Sequence, residues 1–139
     1  MTTLISVIIP CLNEERFLQS CLQSIQRQTL DRNAWELIVV DNGSTDGSQS
    51  IAHQFADKVI VADHRPVGAV RNVGVNEAVG ELLVFLDADC VIDPHWLERA
   101  YQLYRNHPSA AMGGAAALPT PAVWVEKHWL LETHNGPTL

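Results

Sequence analysis

Residues 80–90 read GELLVFLDADC, in which the apolar run Leu82–Leu86 leads directly into Asp87-Ala88-Asp89. Short, continuous apolar runs bounded by glycine or polar residues are typical of strands in a covered parallel sheet. Three earlier segments have the same character: Leu4–Ile9 before Pro10, Leu37–Val40 before Asp41, and the shorter Val59–Val61. The sequence therefore predicts four strands, three of which end beside a carboxylate or an Asn-Glu pair.

The segments between these strands have helical spacing of apolar residues. One helix is predicted from the cap Asn13 through Ile25, and a second from the cap Asp46, with Gln49 completing the cap. A third is predicted over Gly68–Val79, ended by Gly80, and a fourth begins at Pro94. Strict alternation of strand and helix predicts an α/β fold with a mostly parallel sheet and helices on both faces.

Composition is that of one globular domain: 139 residues, 47% hydrophobic and 18% charged, with a net charge of −7. A net acidic chain is a poor general binder of nucleic acid or anionic lipid, so no nucleic-acid partner is expected. The odd number of cysteines, without a CxxC pair, favours a reducing compartment. With no signal peptide and no membrane-spanning run, we expect a cytoplasmic protein, and association with the inner face of a membrane is left open.

The pattern changes near Met112, where an Ala-Gly-Pro-rich stretch precedes a segment carrying Trp124 and Trp129. No further strand-helix unit follows, so the tail is interpreted as the opening of a region that is cut off. We expect a core over 1–111 and an incomplete region over 112–139. Exposed tryptophans in that region predict self-association into a homo-oligomer.

The Asp87-x-Asp89 pair is the sharpest chemical feature. Residues i and i+2 of an extended segment point to one side, so both carboxylates can hold one hard divalent cation. Mg²⁺ or Mn²⁺ takes one or two carboxylates and completes its shell with water and substrate phosphates. A metal site this sparse implies a phosphate-bearing ligand. The alternative is an Asp-rich surface turn.

Other strand ends add polar groups at the edge where open parallel sheets bind ligands. Asp41 can accept an N–H from a nucleobase or bind a ribose hydroxyl, or it can cap the turn over 42–45. Glu14 contributes a carboxylate or only complements a helix dipole. Gly68 at a helix start permits close approach of an anion, and Arg71 can pair with a phosphate or remain a solvated arginine.

Several chemistries are disfavoured. The sequence has neither a GxxxxGK[ST] loop nor a GxGxxG after the first strand, which argues against a P-loop NTPase and a dinucleotide dehydrogenase. The histidines show no zinc spacing. Cys90 has no local histidine partner and is expected to be a small buried residue. A receiver-like domain with Asp41 as phosphoacceptor needs a lysine near a later strand end, and both Lys58 and Lys127 are badly placed.

Four blocks together resemble the family-2 glycosyltransferases of the GT-A fold, over roughly residues 4–107. They are VIIPCLNE (7–14), ELIVVDNGSTDGS (36–48), GAVRNVG (68–74) and GELLVFLDADC (80–90). The resemblance implies an inverting glycosyl transfer from a nucleotide-diphosphate sugar, usually a UDP-sugar, to a hydroxyl of a glycan, lipid or other acceptor. It also implies a cofactor, Mn²⁺ or Mg²⁺.

The resemblance assigns roles to matching positions. The metal is expected on Asp87 and Asp89. The remaining nucleotide-sugar contacts are expected from the segment after the first strand, the second strand end, the third helix and the acidic segment: Pro10, Asn13, Glu14, Asp41, Gly68, Arg71, Asn72, Asp87 and Ala88.

The later part of such enzymes supplies the acceptor site and the catalytic base. Here 112–139 corresponds only to its beginning, and neither late carboxylate, Glu126 or Glu132, lies in a recognisable motif. The catalytic base is therefore unassigned, and the chain alone is expected to bind donor without transferring sugar. The alternative function is a catalytically incomplete nucleotide-binding or regulatory module of the same fold.

Overall fold

The computed structural model describes residues 2–108, which form a single four-stranded parallel sheet with helices on both faces. The strands are β1 (Ile5–Cys11), β2 (Trp35–Asp41), β3 (Lys58–Val61) and β4 (Leu82–Phe85), in the spatial order β3-β2-β1-β4. The helices are α1 (Glu15–Gln26), α2 (Ser48–Phe55), α3 (Val67–Glu77) and α4 (Trp96–Asn106), with a short 3₁₀ turn at Arg32–Ala34. The predicted α/β fold and its alternation of elements are confirmed.

Strand order reverses at β1, which pairs with β2 on one side and β4 on the other. The register sets Cys11 beside Asp41, and Ile8 beside both Ile38 and Phe85. The reversal lies between the neighbouring strands β1 and β4. The segments that leave these two strands open a crevice at their carboxyl ends.

Two apolar layers hold the sheet between the helices. Odd-numbered β1 residues such as Val7 and Ile9 pack with α1, α2 and α4, whereas Ile8 packs with Ile38 and Val40 under α3. β1 and β2 are buried along most of their lengths because helices cover both faces.

Gly74 lets α3 lie close to the sheet. It is buried, and a methyl group at this position would overlap the Ile8 side chain and lie 3.2 Å from a Val40 methyl carbon. Absence of a side chain at one helical position therefore fixes the separation between α3 and the centre of the sheet.

The prediction that Gly80 ends the third helix is wrong. α3 ends at Glu77, and Gly80 lies in the following loop, where an added Cβ would be 2.5 Å from the Ser6 nitrogen and 2.6 Å from the Ile5 carbonyl carbon. The physical requirement for glycine is a close approach between two backbones.

The two predicted caps also differ in detail. Asn13 does not cap α1; it has a φ of 53°, and its side chain bonds to the loop after β2. α2 begins at Ser48, with Gly47 rather than Asp46 at the cap position. Asp46 still accepts the Ser48 N–H at 3.0 Å. Gln49 bonds to Asp41 instead of completing the cap.

The β4 strand is less covered than its apolar sequence indicates. Within residues 2–108 it pairs with β1 alone, and Phe85 remains 44% exposed. α3 packs mainly over β1 and β2, which leaves this end of β4 less covered.

Among the described residues, no helix has the length and apolarity needed to cross a membrane. The predicted incomplete region over 112–139, including Trp124 and Trp129, lies outside the described residues.

Candidate functional site

An open cleft of about 470 Å³ lies at the carboxyl edge of the sheet. It occupies the place where strand order reverses, as open parallel sheets favour. Five of the predicted site residues line it: Pro10, Glu14, Asp87, Ala88 and Asp89. The cleft therefore gathers the ends of β1 and β4, the two strands that part at the reversal.

The acidic pair lies in a turn. The Cys90 N–H donates to the Asp87 carbonyl at 3.0 Å, which closes a four-residue turn. The expectation of an extended segment is therefore wrong, since the strand ends at Phe85. Ala88 is buried in the core while Asp87 and Asp89 are exposed on either side of it, and both carboxylates still line the cleft.

Glu14 adds a third carboxylate on the opposite side of the strand reversal. Partial burial raises the pKa of Glu14, and the charges of Asp89, Asp46 and Asp87 raise it further. Repulsion of this kind shows that the carboxylates share a region of negative potential. Such a region favours a bound cation.

Within residues 2–108, no three His, Cys, Asp or Glu side chains are grouped to hold a metal ion by themselves. The pair Asp87 and Asp89 nevertheless fits Mg²⁺ or Mn²⁺, which commonly bind one or two carboxylates and fill the remaining positions with water and phosphate oxygens. Within residues 2–108, Asp89 forms no ion pair, and its one side-chain hydrogen-bond partner is the Cys90 thiol, at 3.8 Å. Its oxygens are therefore available to a cation.

Arg71 on α3 is directed toward the acidic turn. Its Nη2 lies 3.0 Å from Asp87 Oδ1, and its buried Nε has no hydrogen-bond partner in the described part of the chain. The pair is partly exposed, so the attraction is modest and is readily exchanged for another anion. Arg71 does not itself line the cleft but reaches it through Asp87.

The start of α3 borders the cleft through Val67 and Val70. Gly68 is exposed in the first turn, and apart from its chain neighbours and its own helix backbone no atom of the described residues lies within 4 Å of the position a Cβ would take there. Asn72 is also exposed, and neither residue lines the cleft. Their predicted ligand contacts stay predictions, although the N-terminus of a helix carries unpaired N–H groups that attract anions.

Asp41 lies at the same edge of the sheet but behind the cleft wall. It is 1% exposed, and its Oδ2 accepts from the N–H groups of Gly43 and Ser44 at 3.1 and 3.0 Å. Gln49 donates to the same oxygen at 2.8 Å. This is the predicted turn cap. Oδ1 is buried and has no hydrogen-bond partner among the described residues, so an acceptor remains beside the capped oxygen.

Asn13 does not line the cleft; it ties the loop after β1 to the loop after β2. Its N–H donates to Ser44 Oγ at 2.9 Å, and its Oδ1 accepts from the Thr45 N–H at 2.8 Å. Next to it, the Glu14 N–H donates to Ser48 Oγ at 2.9 Å. These bonds hold Glu14 in place at the edge of the cleft.

Asn42 and Arg65 line the cleft and were not predicted as site residues. Asn42 Nδ2 donates to the Arg65 carbonyl, and the Arg65 N–H donates to Asn42 Oδ1, both at 2.8 Å. His64, with a φ of 44°, packs its ring where a Cβ on Gly43 would lie, 2.5 Å from its Cε1. In the sequence, Arg65 could be noticed only as a positive charge two residues before the start of α3. Its pairing with Asn42 is a tertiary contact that the sequence does not show.

The cysteines do not form a nucleophilic centre. Contrary to expectation, Cys90 is exposed rather than buried, because it is the last residue of the turn and not part of a strand. Partial desolvation and the neighbouring Asp89 raise the pKa of Cys90, which disfavours the reactive thiolate. Burial raises the pKa of Cys21 to about 12. Cys11 lines the cleft as a buried, neutral side chain whose pKa burial also raises.

Solved glycosyltransferases share this fold. TarS from S. aureus, residues 1–349 in complex with UDP-GlcNAc, superposes with a TM-score of 0.72 and 28% identity, over 86% of this chain and 37% of that chain. A mannosyltransferase from Pyrobaculum calidifontis, in complex with GDP-Man and Mn²⁺, gives a TM-score of 0.69 and 26% identity over 75% of this chain and 33% of that chain. The fold and cleft thus define a GT-A glycosyltransferase domain.

Sequence comparison makes the assignment specific. The profile of Glycosyl transferase family 2 matches residues 6–131, and the chain belongs to that family. Glycosyltransferase AglE of Haloferax volcanii is 36% identical over 123 residues, covering 84% of this chain and 40% of that protein. The putative glycosyltransferase EpsH of Bacillus subtilis is 37% identical over 103 residues, covering 70% of this chain and 29% of that protein. The chain thus spans less than half the length of these relatives.

Proposed function

We propose that this chain binds the donor of a metal-dependent, inverting glycosyltransferase. The observation that carries the proposal is a single cleft at the strand reversal, which collects the acidic turn at Asp87–Asp89, Glu14 and the start of α3. Carboxylates and a helix N-terminus meeting in one cleft suit a ligand that brings both a cation and phosphates.

Each group has a proposed role. Asp87 and Asp89 would hold Mn²⁺ or Mg²⁺, which would offset the negative charge that develops on a departing diphosphate. Arg71 and Arg65 supply positive charge near the phosphates, and the first N–H groups of α3 add hydrogen-bond donors. Oδ1 of Asp41, which has no partner within residues 2–108, is proposed as the acceptor for an N–H of the nucleobase.

The donor is proposed to be a nucleoside diphosphate sugar carrying uracil or guanine. This choice is supported by the ligands named with the two similar structures, UDP-GlcNAc and GDP-Man. Inversion requires an acceptor hydroxyl that attacks the sugar opposite the leaving diphosphate, and a carboxylate base that takes its proton. Such a base is not assigned; Glu126 and Glu132 lie outside the described residues.

Isothermal titration of the full chain with UDP or GDP, with and without Mn²⁺, tests the proposal. We expect metal to tighten binding of one nucleotide, and Asp89→Ala to abolish that effect. Glu77→Ala is the matched control, since it also removes an exposed carboxylate but lies at the far end of α3. Absence of nucleotide binding in the wild type, or an equal loss in the control variant, would contradict the proposal.

A nucleotide-binding module without transferase activity is the second candidate. It would use the same cleft, because binding the nucleotide requires the carboxylates and the start of α3 but not a catalytic base. Both candidates predict nucleotide binding and differ only in turnover. Release of UDP or GDP from a sugar nucleotide, dependent on an added hydroxyl acceptor, would exclude the second candidate.

A further inference from the structure

The segment that carries the acidic turn has little regular structure of its own. Between Leu86 and Trp96 the chain forms neither helix nor strand. Its local bonds include the turn at Asp87–Cys90 and two N–H groups bonded to Asp93, from His95 and Trp96. A segment of this kind needs partners from elsewhere to keep one conformation.

Those partners come from Ser24 on one edge of α1 and from Gln28 and Thr29 just after the helix, where the Thr29 N–H donates to the Pro94 carbonyl at 2.8 Å. Ser24 Oγ accepts the Ile92 N–H at 3.1 Å. Gln28 Nε2 donates to the Asp93 carbonyl at 2.7 Å, and its Oε1 accepts the Leu97 N–H at 2.9 Å. The main chain on the distal side of the turn is therefore bonded at three points to two side chains.

Both side chains are fixed in orientation by the bonds they make. Ser24 is buried, and its hydroxyl donates to the Cys21 carbonyl at 2.7 Å, which leaves a lone pair for Ile92. Gln28 uses its amide as donor and acceptor at once, so a flip of the amide would break both contacts. Cys21, one turn before Ser24, lies with its Sγ 3.7 Å from the Asp87 carbonyl. The edge thus reaches the acidic turn itself.

We propose that Ser24 and Gln28 are positioning residues for the metal site, acting through the backbone of residues 87–97. This inference rests on the proposed function, since it assigns to these residues the task of holding Asp87 and Asp89 ready for the cation. A carboxylate pair that is already ordered loses less conformational freedom when it binds metal. Neither side chain lines the cleft.

The test compares metal-dependent with metal-independent nucleotide binding in the full chain. UDP and GDP are titrated with saturating Mn²⁺ and without metal, and the readout is the dissociation constant without metal divided by that with Mn²⁺. We expect Ser24→Ala and Gln28→Ala each to reduce that ratio about fivefold, the equivalent of one net hydrogen bond. The metal-free affinity should stay unchanged, because a positioning role acts only through the acidic turn.

Gln26→Ala is the matched control. Gln26 is the same residue type as Gln28 and is the last residue of α1, the helix that carries Ser24. It also donates to a backbone carbonyl, that of Phe55 at 2.9 Å, away from the acidic turn. Its ratio should equal that of the wild type. Far-UV circular dichroism identifies folded variants. If Ser24→Ala does not fold, the test rests on Gln28→Ala, because the Gln28 side chain is only half-buried.

The outcomes separate this inference from the proposed function. No metal-dependent binding of either nucleotide by the wild type would reject the proposed function and this inference with it. Metal-dependent binding in the wild type that persists fully in both variants would reject the positioning role alone. An equal loss of metal-free affinity would also reject it, because the defect would then be a general loss of structure.

Discussion

A single methyl group is expected to have opposite effects at two glycines of α3. Gly74 is buried against Ile8 and Val40, whereas Gly68 is exposed, with open space where a Cβ would lie. The substitutions Gly74→Ala and Gly68→Ala therefore add the same group to the same helix. One is placed in the core and the other in solvent.

The magnitudes follow from packing and helix propensity. An added methyl in a filled core destabilises by about 1–3 kcal/mol, and the overlap with the fully buried Ile8 places Gly74→Ala at the upper end. Replacing glycine by alanine within a helix stabilises the folded state by about 1 kcal/mol through helix propensity. The net loss in the free energy of unfolding for Gly74→Ala is therefore about 2 kcal/mol. At Gly68 the packing penalty is absent, so a gain of about 0.5 kcal/mol is expected.

Thermal unfolding of the full chain followed by circular dichroism measures both changes. A loss of about 2 kcal/mol lowers the midpoint of a domain of this size by about 10 °C, and Gly68→Ala raises it by a few degrees. Gly68→Ala should also weaken nucleotide binding, since the proposed phosphate approaches the backbone there. A Gly74→Ala midpoint equal to or above that of the wild type would refute the packing argument.

Three further substitutions are informative. Burial alone would raise the pKa of Glu36, but hydrogen bonds from Ser6 and from a backbone N–H, together with a lysine, hold it below its ordinary value of 4.5. A depressed carboxyl pKa gives stability that is lost as pH falls below 4.5. Glu36→Gln should therefore make the free energy of urea unfolding depend less on pH below 4.5. An unchanged pH dependence would contradict this. Burial and the charge of Asp89 raise the pKa of Glu14, so its ionised form opposes folding at neutral pH, and Glu14→Gln should raise the thermal midpoint at pH 7, less so with Mn²⁺. A lower midpoint in metal-free buffer would reject that sign. Gly80→Ala, which meets backbone atoms of two residues, should lose about 2 kcal/mol by urea unfolding, and wild-type stability would show that the loop moves freely.

The predicted site residues that line the cleft lie at or just after the ends of β1 and β4. Pro10, Glu14 and the acidic turn all line the cleft, because parallel strands bring their carboxyl ends to one edge. Asp41 comes to the same edge, but its carboxylate turns into the loop that it caps. The direction of a side chain beyond the last strand residue depends on the loop geometry, which sequence patterns do not specify.

Arg65 and Asn42 could not be predicted as a pair. They belong to different loops, and their two hydrogen bonds join main-chain and side-chain atoms that are 23 residues apart. The same is true of Ser24 and Gln28, which read as ordinary polar residues at the edge of an amphipathic helix. Their bonds to residues 92–97 exist because the sheet brings the end of β4 alongside α1.

Within residues 2–108, the sequence alone was sufficient to predict the number, order and type of the main strands and helices. The spacing of apolar residues that distinguishes a strand from a helix is a property of short segments. It also located the acidic pair after the fourth strand. The tertiary structure decided that Gly80 permits a backbone contact, that Cys90 is exposed, and that Asp87 and Asp89 occupy a turn. Each of these depends on the position of another element in space, because close approach, burial and cross-loop hydrogen bonding are properties of pairs that the chain brings together only on folding.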